Sequence, residues 1–194
     1  MGEKSLQKKK YILETARKVF MQKGFKNVTM KDIVEACDIS RGGLYLYFSS
    51  TEEIFLEVLH MESEQSDDVF SDSIGDDATA ADILAFFLNE QKKELLRKRD
   101  TLTIATYEYY FESNVPKKEN ILKIQFDSAV KIIEKLIQAG VMSGEFSCED
   151  CLGTARNIMY VLEGLKISAQ TRGVTAEMVD RELMFILKEL GIKE

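Results

Sequence analysis

The chain has 194 residues, 45% apolar and 30% charged, and a net charge of −7, the totals of one large globular domain or of a small domain joined to a larger one. Its longest unbroken apolar run, Ile83 to Leu88, falls far short of the ~20 residues a bilayer crossing needs, which excludes a membrane span. The charge is uneven: residues 1–48 hold ten basic and five acidic residues, net +5, and residues 49–194 hold sixteen and twenty-eight, net −12.

One proline and eleven glycines leave few backbone interruptions and favour an all-α chain of about nine helices. Residues 8–23 place Ile12, Ala16, Val19 and Phe20 on one helical face, with Gly24 as C-cap and Phe25 folding back. Thr29-Met30-Lys31-Asp32 has the form of a capping box and opens a short second helix that turns Ile33 and Ala36 inward. Ser40 caps a third short helix, Arg41 to Tyr47. Ser50-Thr51-Glu52-Glu53 opens a long fourth helix with Ile54, Phe55, Val58 and Leu59 as its stripe. A break at 76–79 follows, and Thr79 with Asp82 caps a helix to about Arg99. Segments near 101–112 and 117–139 are separated by Asn114-Val115-Pro116, and residues 140–146 read as a turn with two glycines. Ser147 with Asp150 caps a helix to about Gln170, and Thr175 caps the last, to Leu190. The first three helices form a basic head, residues 1–48; residues 49–194, joined through the fourth helix, form the body.

The second and third helices are joined by a tight turn at 36–40, the spacing of a helix-turn-helix, with Ala36 allowing close packing and Ile39 pointing inward. Two adjacent glycines, Gly42 and Gly43, cost a helix about 1 kcal/mol each against alanine, and close approach to a partner is a reason to keep them. The basic head on an acidic body suits a protein whose one end meets phosphate.

The run Phe20…Gly24-Phe25…Thr29-Met30-Lys31-Asp32-Ile33…Ala36…Ile39-Ser40-Arg41-Gly42-Gly43-Leu44-Tyr45-Leu46-Tyr47-Phe48…Glu52-Glu53-Ile54 resembles the DNA-binding head of TetR-family regulators, over about residues 8–59. Gly140-Val141-Met142-Ser143-Gly144-Glu145-Phe146 is also similar to many members. The resemblance implies a ligand-responsive regulator, acting as a repressor on a palindromic double-stranded DNA operator and released by a small molecule. It places Thr29 and Tyr47 on phosphates, and Ser40, Arg41, Gly42 and Tyr45 at base edges or sugars, with Leu44 and Phe48 as core beneath. Where many members carry lysines after the Phe, this chain has Ser49, Ser50 and Thr51, so phosphate affinity is expected to lean on Lys8, Lys9, Lys10, Lys26 and Lys31.

A single recognition helix buries little, and paired half-sites are the usual solution. Ile158, Leu162 and Leu165 on the penultimate helix, and Val179, Leu183 and Leu187 on the last, form wide apolar stripes that suit a homodimer interface of four helices. The aromatic middle of the chain suits an effector pocket, with candidate contacts Phe86, Phe87, Tyr107, Tyr110, Phe111 and Phe126, and Met159 beyond them. Glu90, Glu108 and Glu112 would favour a cationic ligand, or else form a solvated face.

An enzyme lacks parts. His60 is the sole histidine, no nucleophile elbow, phosphate loop or zinc motif accompanies it, and no cofactor or metal is expected. Cys148-Glu149-Asp150-Cys151 has C-x2-C spacing at a helix start, leaving a redox- or metal-responsive regulator as an alternative, although zinc wants four ligands and no second pair exists. A helical protein-interaction module is the other alternative. No secretory signal follows the basic N-terminus, so the expected address is cytoplasmic.

Overall fold

The computed structural model describes residues 2–72, 77–97, 101–113, 115, 116 and 118–192, with the side chains of all of these except 64–72. Among the described residues there are nine helices: α1 (Glu3–Lys23), α2 (Met30–Cys37), α3 (Arg41–Tyr45), α4 (Thr51–Asp72), α5 (Ala80–Leu95), α6 (Thr103–Glu112), α7 (Ile121–Ser143), α8 (Cys151–Thr171) and α9 (Ala176–Glu189). The features expected at Asp76, Arg99 and Asn114 lie outside the described residues.

The helices pack as two compact units. The first holds α1–α4 and α6. Within it α1 packs on α2, α4 and α6, and α2 packs on α3. The three helices of the head do not bury their apolar faces alone. Ile12, Ala16 and Phe20 of α1, Ile33 of α2 and Leu44 of α3 are fully buried, and Ile54, Phe55 and Val58 of α4 complete the set. The packing unit therefore extends past residue 48, because α4 supplies the apolar face that the head alone lacks. Phe20 and Phe55 meet edge-on at 4.8 Å, and Phe25 folds back onto Phe20 and Phe55 at 6.2 and 5.0 Å. Ala36 departs from expectation: it is exposed, and Cys37 takes the inward position beside Ile33.

The second unit holds α5, α7, α8 and α9, with α7 lying along α8, and α5 touching the other three. Its core is built from Leu84, Leu88, Val130, Ile133, Ile137, Ala155, Ile158, Leu162, Val179, Leu183 and Ile186. Two boundaries differ from the sequence reading. Helix α7 runs through Gly140 to Ser143 and ends at Gly144, which takes the left-handed conformation at φ 81°. Gly140 is there for space, since a Cβ on it would stand 2.2 Å from Cδ2 of the buried Phe146. The Gly140→Ala variant is therefore expected to lose about 1–3 kcal/mol through forced displacement of that ring, read as a lowered denaturation midpoint. Helix α8 is capped by Asp150 alone, whose carboxylate accepts from Gly153 N at 2.8 Å. Ser147 instead donates its backbone N–H to Leu190 O at 2.9 Å, tying the α7–α8 turn to the end of α9.

Candidate nucleic-acid interface

The start of α2 is a complete capping box. Thr29 Oγ1 accepts from Asp32 N at 3.3 Å, and Asp32 Oδ2 accepts from Thr29 N at 2.8 Å and from Thr29 Oγ1 at 2.6 Å. Lys23 Nζ lies 2.6 Å from the other Asp32 oxygen. Lys23 and then Thr29 hold the Asp32 carboxyl well below the usual carboxylate range. A carboxyl depressed on folding contributes stability above its unfolded pKa of about 3.9, and that contribution is lost as pH falls through the folded value. Acidification below about pH 4 should therefore destabilise the native chain more than the Asp32→Asn variant, as measured by unfolding midpoints at neutral and acidic pH.

The turn between α2 and α3 is held without glycine. Asp38 takes the left-handed conformation at φ 51°, a position that Asp tolerates better than most residues. Tyr11 Oη donates to Cys37 O at 3.3 Å and Ile39 N to Val34 O at 3.3 Å, which satisfies the end of α2. Ser40 then caps α3, its Oγ accepting from Gly43 N at 3.1 Å.

Helix α3 is anchored from below and open above. Leu44 and, just beyond the helix, Phe48 are 0% and 1% exposed, whereas Ser40, Arg41, Gly42 and Tyr45 face solvent. The Arg41 guanidinium lies 5.5 Å from the Tyr45 ring centroid, a cation–π pairing that holds the two side chains together on the outer face. A Cβ on Gly42 would meet nothing within 4 Å, so internal packing does not require a glycine there. Tyr47 is half-buried, and its hydroxyl accepts from Ser5 Oγ at 3.5 Å. The sequence reading missed two participants. Leu46 is 81% exposed beside Tyr45, a position the Leu44/Phe48 spacing already leaves on the outer side. Ser5 reaches Tyr47 because α1 begins at Glu3 rather than residue 8, in a polar first turn with no apolar periodicity to announce it.

Most of the lysines assigned to phosphate carry a carboxylate partner. Lys9 pairs with Glu57 at 2.9 Å and lies over the Phe48 ring at 5.5 Å. Lys10 is 3.9 Å from Glu14, Lys31 is 3.6 Å from Glu35, and Lys26 is 2.6 Å from Glu112. Among the described residues, Lys8 of that set has no such pairing, and neither do Lys4 and Lys18.

Within the same unit, α6 grips the α1–α2 turn. Glu108 Oε2 accepts from Phe25 N at 2.7 Å and from Lys26 N at 3.2 Å. Gly24, at φ 75°, makes room for it, since a Cβ there would stand 2.4 Å from that oxygen. Tyr109 is buried against Phe25 and Phe55 and donates to Glu52 at 2.9 Å; burial and then that carboxylate push its hydroxyl up to about 12. Glu108 and Glu112 are thus structural ties of the head, and Glu90 pairs with Lys93 at 2.6 Å, so all three carboxylates proposed for a cationic ligand are engaged.

The remaining expected positions separate by unit. In the first, Tyr107 stacks on Phe111 at 5.8 Å, Phe111 is 81% exposed, and Tyr110 meets Tyr109 edge-on at 4.9 Å. In the second, Phe86 is half-buried, Phe87, Phe126 and Met159 pack against the core, and Phe126 lies 5.0 Å from the Tyr160 ring. The stripe assigned to dimer contact needs correction. Ile158, Leu162 and Val179 are at most 1% exposed and Leu183 is 8% exposed, because α5 and α7 pack on α8, and α5 and α8 pack on α9, within the chain. Leu165 and Leu187 are half-buried against the same core. The outward apolar residues are Tyr160 and Ile167 on α8, and Met178 and Phe185 on α9. A groove of about 490 Å³ runs between α8 and α9, lined by Asn157, Val161, Glu182 and Phe185 among others, and it contains none of the expected effector residues.

A short helix held by its buried side on a second helix, with a glycine-bearing outer face that carries Ser40, Arg41 and Tyr45, has the form of the helix-turn-helix of DNA-binding proteins. Comparison with known proteins supports the same class. Residues 12–58 match the model for bacterial regulatory proteins of the tetR family, and residues 83–179 match the tetracyclin repressor-like C-terminal domain. The HTH-type transcriptional regulator YfiR of Bacillus subtilis is 35% identical over 144 residues, covering 74% of this chain and 70% of that one. QacR of Staphylococcus aureus is 25% identical over 165 residues, covering 79% and 81%. A transcriptional regulator from Saccharomonospora viridis, solved in complex with choline, has the same fold, with a TM-score of 0.81 at 22% identity over 93% of this chain and 95% of that one. The chain belongs to the TetR family of bacterial transcriptional regulators, a family of regulators rather than enzymes. No helix among the described residues is long and apolar enough to cross a membrane.

Proposed function

We propose that the chain acts in the cytoplasm as a homodimeric repressor that reads a near-palindromic operator and releases it when a small molecule binds. The outer face of α3 carries this reading. Arg41 suits bidentate contact with guanine, and Tyr45 and Ser40 suit base edges or sugars. Gly42, which nothing in the chain crowds, lets the backbone approach the groove. Thr29 and Tyr47 have hydroxyls suited to phosphate, and Lys31, Lys8 and Lys4 add positive charge beside them. Residues 1–48 form the reading head, and residues 49–194 carry dimerisation and effector binding.

The pairing surface is the outward face of α8 and α9, centred on Tyr160, Ile167, Met178 and Phe185, with Leu165 and Leu187 behind it. Within the second unit the candidate effector contacts are Phe86, Phe87, Phe126 and Met159. The relative crystallised with choline supports a small-molecule effector.

Sedimentation velocity tests the dimer. Wild-type protein should sediment as two chains, and Phe185→Glu, which places a charge on a 61% exposed site without entering the core, should shift it to one. A wild-type monomer binding half-sites independently would overturn the reading. A small-molecule screen scored by loss of DNA binding tests the effector, and a screen in which nothing changes affinity would overturn that part.

A further inference from the structure

The α7–α8 turn carries a pair of thiols that operator reading does not use. Cys148 lies two residues before the N-cap Asp150, and Cys151 is the first residue of α8. All three cysteines are free thiols, but they differ in access: Cys37 is buried in the head, whereas Cys148 and Cys151 are both half-buried. Both of the latter sit at the edge of the second unit's core. Cys148 Sγ lies 3.3 Å from Thr154 Oγ1, so it points toward the first turn of α8. Burial first, and then the neighbouring Cys148, push the Cys151 thiol up. Two half-buried thiols at C-x2-C spacing, one two residues before a helix N-cap and turned toward the helix's first turn and the other the first residue of that helix, are placed to join across the cap.

We propose that Cys148 and Cys151 form an oxidation-sensitive site that closes into an intrachain disulfide on reaction with a low-molecular-weight disulfide such as oxidised glutathione. The Cys148 thiolate attacks one sulfur of the glutathione disulfide, a mixed disulfide forms, and one glutathione leaves as the thiolate and takes up a proton. The Cys151 thiolate then attacks Cys148 in the mixed disulfide, forms the Cys148–Cys151 bond and expels the second glutathione, which takes up the second proton. Two electrons and two protons pass from the protein dithiol to the reagent, which ends as two thiols. Closure draws Cys148 away from Thr154 and pulls on the turn at Ser147, whose N–H is bonded to Leu190 O and whose Cβ is 3.1 Å from where a Cβ on Gly191 would stand. The end of α9 is the first structure to respond. In a reducing compartment such a bond is transient, which suits a signal and not a staple.

The test treats the full chain with oxidised glutathione, alkylates it under denaturing conditions and maps the peptides by mass spectrometry; it needs no DNA. The expected wild-type product has Cys148 linked to Cys151, loses two hydrogens, keeps Cys37 as its one alkylated cysteine and reopens with dithiothreitol. The Cys151→Ser variant should stop at the glutathione adduct on Cys148. Three alkylated cysteines in treated wild type, stable glutathione adducts on Cys148 and Cys151, or a bond to Cys37 or between chains would overturn the proposal.

Discussion

Arg41→Ala is expected to weaken operator binding by about 2–6 kcal/mol in a dimer, from about 1–3 kcal/mol for each bidentate arginine–base pairing removed. That is a loss of roughly 30-fold to 10⁴-fold, at about 1.4 kcal/mol per tenfold. Arg41 is exposed and rests on the ring of Tyr45, also exposed, so folding stability should change by no more than about 0.5 kcal/mol. Fluorescence anisotropy at fixed salt, beside a thermal melt, separates the two effects. Tyr45→Ala should behave alike, since it removes the ring on which Arg41 rests and, with it, the groove contact proposed for Tyr45. Lys8→Ala makes the contrast: removing a cation from a phosphate weakens binding to all sequences about evenly and lowers the salt slope by about one.

Phe20→Ala is expected to destabilise the first unit by about 3–5 kcal/mol. Phe20 is fully buried and its ring touches both Phe55 and Phe25, so it joins α1, α4 and the α1–α2 turn. A single domain is stable by only about 5–15 kcal/mol, so the loss removes a large share of what holds the reading head. Denaturant unfolding should show an early transition, with operator binding lost across it. Unlike Arg41→Ala, the variant should bind weakly because the head unfolds, and cooling or a lower denaturant concentration should restore part of the affinity.

Much of this architecture is legible from local chemistry. Thr29, Ser40, Thr79 and Thr175 each precede a helix and accept from the third residue beyond, because an N-cap is a bond between near neighbours. Leu44 and Phe48 read as core and are core, and that spacing leaves Tyr45 outward. What failed was long-range. Gly140 looks like a turn until Phe146 is seen to occupy the place of its Cβ. The stripe of Ile158, Leu162 and Val179 signals burial without naming the cover, which the other helices of the second unit provide within the chain. Lysines that look free in a basic head are matched by Glu57 and Glu112 from distant helices. Glu108 gives no hint in sequence that it caps the turn at Phe25 and Lys26, since that contact spans more than eighty residues.

Helix α6 is fastened to the head by several of these long-range ties. Glu108 on the turn, Glu112 on Lys26 and Tyr109 on Glu52 attach one helix to both the α1–α2 turn and the start of α4.

Whether the α3 face reads DNA is decided by selecting bound duplexes from a random pool with the wild-type protein and again with Arg41→Ala and Tyr45→Ala. Wild type should enrich one inverted repeat, both variants should lose that enrichment, and affinity should fall steeply with salt as several counterions per dimer are released. Absence of an enriched sequence together with a flat salt response, or equal enrichment by wild type and both variants, would contradict the assignment of the α3 face as the reader.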